Sequence, residues 1–337
     1  MSIPVSKLLL GVALSGLATG AAAETLIVAH DLPPTHYYSV RGFEAMMSCV
    51  TERTGGEIEF DYYPGGTIIH RDEGITAIQE GLAHITFVTI GEETARMPMQ
   101  GVTMLPGIAN SATELADGWR KAVADGGVLA QEWADMGVRP IGITALAPYQ
   151  IVSGRGAIID SPEAFAGKKV RTTGSALNFL VEALGGVAVQ MPGPEIYTAM
   201  QRGTVDGTLF SFSSVKPYSV QEVMGAMSSN GSFGTAAQAI GMSQEVFDGL
   251  TPDQQTAMDE CALKAVTDLT KWIDEGEAAI AKEFVDSGVN VFEFTDEQIA
   301  TFDEGMASVA DDFVARLKSR DIPADVALAE LKAAMGR

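Results

Sequence analysis

FAGKKVRTTGSALNFLVEALGGVAVQMPGPEIYTAMQRGTVDGTLFS, residues 165–211, decides the fold. A basic strand ending in Arg171 leads into an apolar helix, a short second strand, and a helix that runs into the Val205-Asp206-Gly207 turn. That alternation is how open α/β sheets build ligand clefts at their strand ends. The same rhythm opens the chain. TLIVAH (25–30) reads as a buried strand, and a helix is expected from about Tyr37 to Thr54, stopped by Gly55-Gly56. EIEFDYY (57–63) alternates apolar and polar residues before the Pro64-Gly65-Gly66 turn, and a helix over 71–81 precedes the strand HITFVTI (84–90).

Further along, a helix over 111–136 leads to the strands VRPIGIT and YQIVSG, with Ala147-Pro148 between them as a crossing between lobes. Residues 161–209 supply the second βαβ series, starting at Ser161-Pro162-Glu163, where proline suits the first helical turn. Beyond the Gly/Ser-rich stretch 228–234, the strand AAQAIGM returns to the first lobe. A helix then runs from Thr251-Pro252-Asp253 to Ser287-Gly288 with few breakers, longer than one globular layer needs, so it must span something. The tail from Val289 reads as a short strand and two acidic amphipathic helices.

The expected fold class is therefore α/β with two lobes, each a mostly parallel sheet flanked by helices. Lobe I comprises residues 24–146 plus about 233–270, and lobe II comprises 147–232 plus about 271–337. A length of 337 residues is about twice a modal domain and agrees with that division.

Residues 1–23 carry Lys7, the apolar run LLLGVALSGLATG and Ala21-Ala22-Ala23 before Glu24, the pattern of a cleavable signal peptide. The apolar run is too short for a membrane span, and no cysteine near the cleavage point suggests a lipid anchor. Removing the peptide takes one lysine and no acid, so the formal charge of -22 becomes -23. Such acidity excludes nucleic acid as a partner and disfavours an acidic membrane surface. It permits an anionic ligand, because a closed cleft is governed by its few local cations.

Enzyme signatures are missing: there is no GxSxG elbow, no phosphate-binding GxxxxGK followed by Ser or Thr, no HExxH and no CxxC. His30, His36, His70 and His84 have no metal-ligand spacing, and Asp206-Gly207 reads as a turn. No cofactor or metal is called for. Cys49 and Cys261 sit in apolar helical stretches and are compatible with one disulfide or with two buried thiols.

The central block resembles that of TRAP-type solute-binding proteins, the DctP-like periplasmic receptors for organic acids. The resemblance rests on the Lys-x-Arg strand ending at Arg171, on the Met191-Pro192 pair and on the PEIYTAMQRGTVDG helix and turn. It extends over the mature chain through Pro33-Pro34-x-His36, ERTGG (52–56), Pro64-Gly65-Gly66, Gln79-x-Gly81 and FDGLTPDQQ (247–255). It implies that the long helix spans both lobes and braces their hinge, and it favours a Cys49–Cys261 disulfide.

It also implies that Arg171 clamps the substrate carboxylate, since a planar guanidinium offers a carboxylate two parallel charge-assisted hydrogen bonds. Gly174 and Ser175, opening the next helix, would add amide donors. Two departures bear on the ligand. Tyr149 stands where sialic-acid and dicarboxylate receptors carry a second arginine, and it either hydrogen-bonds a ligand oxygen or packs the lobe crossing. Gly193 stands where the sialic-acid type has an aromatic residue, while Leu209-Phe210-Ser211-Phe212 replaces more polar segments. One of Phe210 and Phe212 lines the cleft and the other enters the core, or both are core. From lobe I, His36, Tyr37, Glu73 and Thr89 match cleft-lining positions.

The expectation is a monomeric periplasmic receptor, not an enzyme. It would close on a small monocarboxylate, aromatic or bearing an oxo or hydroxy group, and deliver it to a TRAP permease. The alternatives are the receptor of an ATP-driven importer, disfavoured by the long helix, and a secreted α/β enzyme acting on organic acids.

Overall fold

The computed structural model describes residues 24–337, the side chain of Arg71 excepted; the expected signal peptide, residues 1–23, lies outside them. The chain lays down β1 (Glu24–Ala29), β2 (Ile58–Tyr63), β3 (Ile85–Thr89) and β4 (Val138–Ala145), then β5 (Gln150–Gly154), β6 (Lys169–Thr172) and β7 (Val187–Gln190). β8 (Gly207–Phe210), β9 (Met224–Ser228), β10 (Ala237–Ser243) and β11 (Asn290–Phe292) follow. They form two sheets, ordered β2-β1-β3-β10-β4 and β11-β9-β5-β8-β6-β7.

In the first sheet β1 pairs parallel with β2 and β3, and β10 runs antiparallel between β3 and β4. In the second, β6 is parallel to β7 and β8, while β5 is antiparallel to β8 and β9. The two antiparallel strands are the exchanged ones. β5 enters the second sheet directly from β4 of the first, and β10 returns to the first directly from β9 of the second.

The helices are α1 (Ala45–Arg53), α2 (Gly74–Gln79), α3 (Ala112–Ala124), α4 (Val128–Asp135), α5 (Pro162–Phe165), α6 (Ala176–Ala183) and α7 (Ile196–Gln201). After them come α8 (Phe212–Val215), α9 (Gln244–Gly249), α10 (Pro252–Asp286), α11 (Asp296–Met306), α12 (Val309–Lys318) and α13 (Ala324–Ala334). α10 is the brace. Thr251 and Gln254 form a capping box at its start with Pro252 in the first turn, and its 35 residues extend about 52 Å. A dense buried stripe, including Met258, Ala262, Val266, Leu269 and Ile273, lies on the first sheet. Gly142 of β4 allows that contact, since a Cβ there would stand 2.8 Å from Val266. Past Ile273 the stripe thins, and the helix reaches α8 and β11 of the second lobe. Cys49 of α1 and Cys261 of α10 are disulfide-bonded, with their Cα atoms 5.7 Å apart.

Carboxylates cap helices across the tertiary structure. Asp274 of α10 accepts from the Ala112 and Thr113 amides at 2.8 and 2.9 Å, at the start of α3. One turn on, Glu277 accepts from the Phe212 and Ser213 amides at 2.8 and 2.9 Å, at the start of α8. Both pairs fill donors that a helix N-terminus cannot satisfy internally.

The structure differs from the sequence reading at several points. The helix expected over 37–54 is a wide π-type segment, Tyr38–Glu44, followed by α1. The helix expected over 111–136 is two, broken at Gly126-Gly127, where Glu330 of α13 caps α4 by accepting from the Val128 amide at 3.1 Å. A Cβ on Gly127 would overlap that carboxylate, so the glycine is a condition of the cap. β9 has no signature in the sequence, since MGAMS lacks both alternation and branched residues. The tail holds three helices, and α13 packs on α3 and α4 of the first lobe, not within the second.

Glu132 of α4 accepts from the Met99 and Gln100 amides at 2.8 and 3.0 Å. Burial outweighs these bonds and pushes its carboxyl from 4.5 up to about 7. The folded chain therefore holds this proton more tightly than the unfolded chain, so the contribution of Glu132 to stability falls as pH rises through that window. Urea unfolding at pH 5 and pH 8 is expected to show wild type losing up to about 3 kcal/mol more than Glu132→Gln. Identical pH slopes would refute the assignment.

Candidate ligand-binding site

The carboxyl ends of the parallel strands in the two sheets face each other, and a small cavity lies between them. The first lobe contributes Leu32, His36 and Tyr37 from the segment after β1, Thr89 at the end of β3, and Gln238 at the start of β10. Gln238 is beside Thr89 because β10 is antiparallel and pairs these two residues. The second lobe contributes Arg171 and Thr173 from β6 and beyond, Phe210 from β8, and Tyr149 just before β5, whose Gln150 pairs with Phe210. Ser214 and Tyr218 come from the helical turns after β8. The free volume is ≈ 20 Å³, about the space of one water.

Arg171 is 1% exposed. Its Nε donates to the Met191 carbonyl at 2.9 Å, and its guanidinium carbon lies 5.2 Å from the centroid of the Phe210 ring. These two contacts fix the plane of the fork. Among the described residues, no Asp or Glu side chain lines the cavity. The buried oxygens Thr89 Oγ1, Thr173 Oγ1 and Gln238 Oε1 have no hydrogen-bond partner among the described residues. Such groups are costly to bury unmatched, and three around one cavity mark a place for a polar ligand.

The remaining wall is aromatic. Phe210 stacks on Tyr218 at 5.9 Å and meets Tyr149 edge-on at 6.2 Å, while His36 lies 4.3 Å from Tyr37 and 5.7 Å from Tyr218. His36 Nδ1 accepts from the Tyr38 amide at 3.2 Å, which orients the ring. Burial raises the Tyr37 phenol well above its ordinary range, with the neighbouring Tyr38, Tyr218 and Tyr149 adding to the rise and a Ser214 hydrogen bond opposing it. Tyr37 is therefore protonated at any physiological pH and available as a donor.

Of the residues singled out in the sequence, Arg171, Phe210, Tyr149, His36, Tyr37 and Thr89 meet in this cavity. Four do not line it. Phe212 is buried against Phe284 of α10, with ring centroids 6.1 Å apart, because the strand ends at Phe210 and two-residue alternation stops where α8 begins. Glu73 is exposed, and its carboxylate accepts from the His70 amide at 2.7 Å as a local cap. The Gly174 amide donates to Thr172 Oγ1 at 3.2 Å, and Ser175 faces a neighbouring groove with Asn178 and Phe313. Both belong to the seam between the lobes.

Sequence reading missed Thr173, Ser214, Tyr218 and Gln238. Thr173 was within reach, two residues beyond Arg171 on an extended segment. Tyr218 replaces what Gly193 lacks: a Cβ on Gly193 would stand 2.9 Å from the Tyr218 ring. The missing aromatic of residue 193 is thus restored from a different element.

A match to the family described as bacterial extracellular solute-binding protein, family 7 (DctP), runs over residues 28–317. The chain belongs to the DctP family. It is 26% identical over 218 residues to a solute-binding protein of Albidiferax ferrireducens, a stretch spanning 64% of this chain and 62% of that relative. It is 31% identical over 193 residues to the C4-dicarboxylate-binding periplasmic protein DctP of Rhodobacter capsulatus, covering 54% of this chain and 56% of that one. In three dimensions it resembles a TRAP solute-binding protein from Rhodoferax ferrireducens in complex with copurified benzoate, with a TM-score of 0.84, 20% identity, and coverage of 93% and 98% of the two chains. A Bordetella bronchiseptica TRAP receptor with bound (R)- and (S)-mandelate superposes with a TM-score of 0.80 at 21% identity, covering 93% and 99%. The family consists of solute receptors of the periplasm, and among the described residues no helix is long and apolar enough to cross a membrane.

Gly193→Ala is expected to push the Tyr218 ring out of its stack and to destabilise the protein by about 1–3 kcal/mol in urea unfolding. An unchanged midpoint would show that Tyr218 yields freely and that the glycine is not required.

Proposed function

We propose that this DctP-family chain captures an organic monocarboxylate, aromatic or carrying an oxo or hydroxy group, and delivers it from the periplasm to a TRAP membrane permease. The observation that carries the reading is the meeting of one buried guanidinium and an aromatic wall in the same cavity. A single cation suits a single carboxylate. A second carboxylate would need its own counter-charge after leaving water, and the position for a second arginine is Tyr149. The aromatic wall favours a flat or apolar ligand body, and the hydroxyls of Thr89, Thr173 and the tyrosines favour an added oxygen.

Benzoate and mandelate receptors among the structural relatives agree with this choice, while the dicarboxylate receptor of Rhodobacter capsulatus represents the competing one. The free space of ≈ 20 Å³ is smaller than any such acid, so entry requires the lobes to part and the rings to give way. Closure then removes water and strengthens the ion pair with Arg171. No covalent step is needed.

A thermal-shift screen over benzoate, mandelate, 3-hydroxybenzoate, pyruvate, succinate and sialic acid is the direct test. Monocarboxylates are expected to give the largest stabilisation, with the acid recovered unchanged. Dominance by succinate or sialic acid would refute the ligand class, and turnover would refute the receptor role. Arg171→Ala is expected to weaken binding of the best acid by about 2–5 kcal/mol in calorimetry, and undiminished affinity would remove Arg171 as the anchor.

A further inference from the structure

Gly91 and Gly101 lie where the lobes touch, outside the ligand cavity, and neither has the positive φ that would make glycine a local necessity. Gly91 follows β3, and Gly101 lies in the helical turn Met99–Met104, so both belong to the first lobe. Each faces the segment Thr173–Gly174–Ser175, which continues β6 of the second lobe. A Cβ on Gly91 would stand 2.7 Å from both the Thr173 carbonyl oxygen and its hydroxyl, closer than real Cβ contacts come. A Cβ on Gly101 would overlap Ser175 Oγ and stand 2.7 Å from the Phe313 ring. Gly174 answers from the opposite side: its own Cβ would stand 2.7 Å from the Gly91 carbonyl.

We infer that Gly91 and Gly101 are positioning residues for ligand capture, forming the bare backbone seat into which the Thr173–Ser175 segment settles when the lobes close. The inference rests on the receptor reading and adds to it the residues that set how far closure proceeds. Thr173 links the two events, since it lines the cavity and also touches Gly91. Arg171 lies two residues earlier on the same strand end. Whatever draws Arg171 and Thr173 toward an anion therefore brings the same segment onto the seat. With the seat open, a methyl group at either glycine meets solvent and costs little. With it shut, a methyl group at Gly91 meets the carbonyl and side chain of Thr173, and one at Gly101 meets the Ser175 hydroxyl and the Phe313 ring, all from the other lobe.

The test uses the mature chain and two single variants, Gly91→Ala and Gly101→Ala. Small-angle scattering and calorimetry would be run with benzoate, mandelate and 3-hydroxybenzoate. Wild type is expected to compact with at least one acid. Each variant is expected to melt within about 2 °C of wild type without ligand, to show little ligand-induced compaction, and to bind about tenfold or more weakly. Wild-type compaction and affinity in both variants would overturn the inference and leave the receptor reading standing. Wild type that responds to none of the three acids would overturn the ligand reading and the inference with it. Ligand-free melting lowered by about 10 °C in both variants would mean that the glycines hold the resting fold together, and it too would overturn a role in capture.

Discussion

A guanidinium held at 1% exposure is the constraint around which the second lobe is arranged. A permanent cation cannot shed its charge on burial, so its surroundings must supply acceptors and polarisable faces. The Met191 carbonyl takes the Nε hydrogen, and the Phe210 ring lies beside the guanidinium carbon. Met191 comes directly after β7 and Phe210 ends β8, the strands on either side of β6. The order β8-β6-β7 is therefore what makes the anchor rigid. Phe210 in turn stacks on Tyr218, which fills the space that Gly193 leaves, and Tyr218 approaches His36 of the other lobe.

Carboxylates solve a second problem. A chain with 44 acidic residues has few cations to pair them with, and several of its buried or half-buried acids are bound by helix N-termini instead. Asp274, Glu277, Glu330 and Glu132 each take two amides from a distant segment. Because each acid and the helix it caps lie far apart in sequence, these caps tie the tertiary structure together where an apolar stripe gives out. The clearest case is α10 beyond Ile273, where Asp274 holds a helix of the first lobe and Glu277 holds one of the second.

What the sequence disclosed followed from local chemistry. Branched residues in β1, β3 and β6, the proline and threonine that start α10, and a Lys-x-Arg strand end were sufficient for two α/β lobes, a spanning helix and Arg171. Non-local events stayed hidden. Gln238 reaches the cavity only because β10 inserts antiparallel beside β3, and Gly126-Gly127 breaks a helix to admit a carboxylate from residue 330. Of the two phenylalanines between which the sequence does not choose, Phe210 lines the cavity and Phe212 enters the core, because the strand turns into a helix between them. Glu73 looked like a cleft acid by position, yet a neighbouring amide is sufficient to hold it.

The disulfide between Cys49 and Cys261 gives α10 a mechanical character. It pins the early part of the helix to α1, and the buried stripe holds it to the first sheet as far as Ile273. The stretch from Asp274 to Asp286 then acts as a lever arm about 18 Å long, with its fulcrum at the paired carboxylates. A rotation of about 10° at that fulcrum carries the far tip through about 3 Å. Near that tip Glu283 is ion-paired with Lys216, which opens the turn that carries Tyr218. One end of the helix thus belongs to the first sheet and the other is tied to the element that walls the cavity.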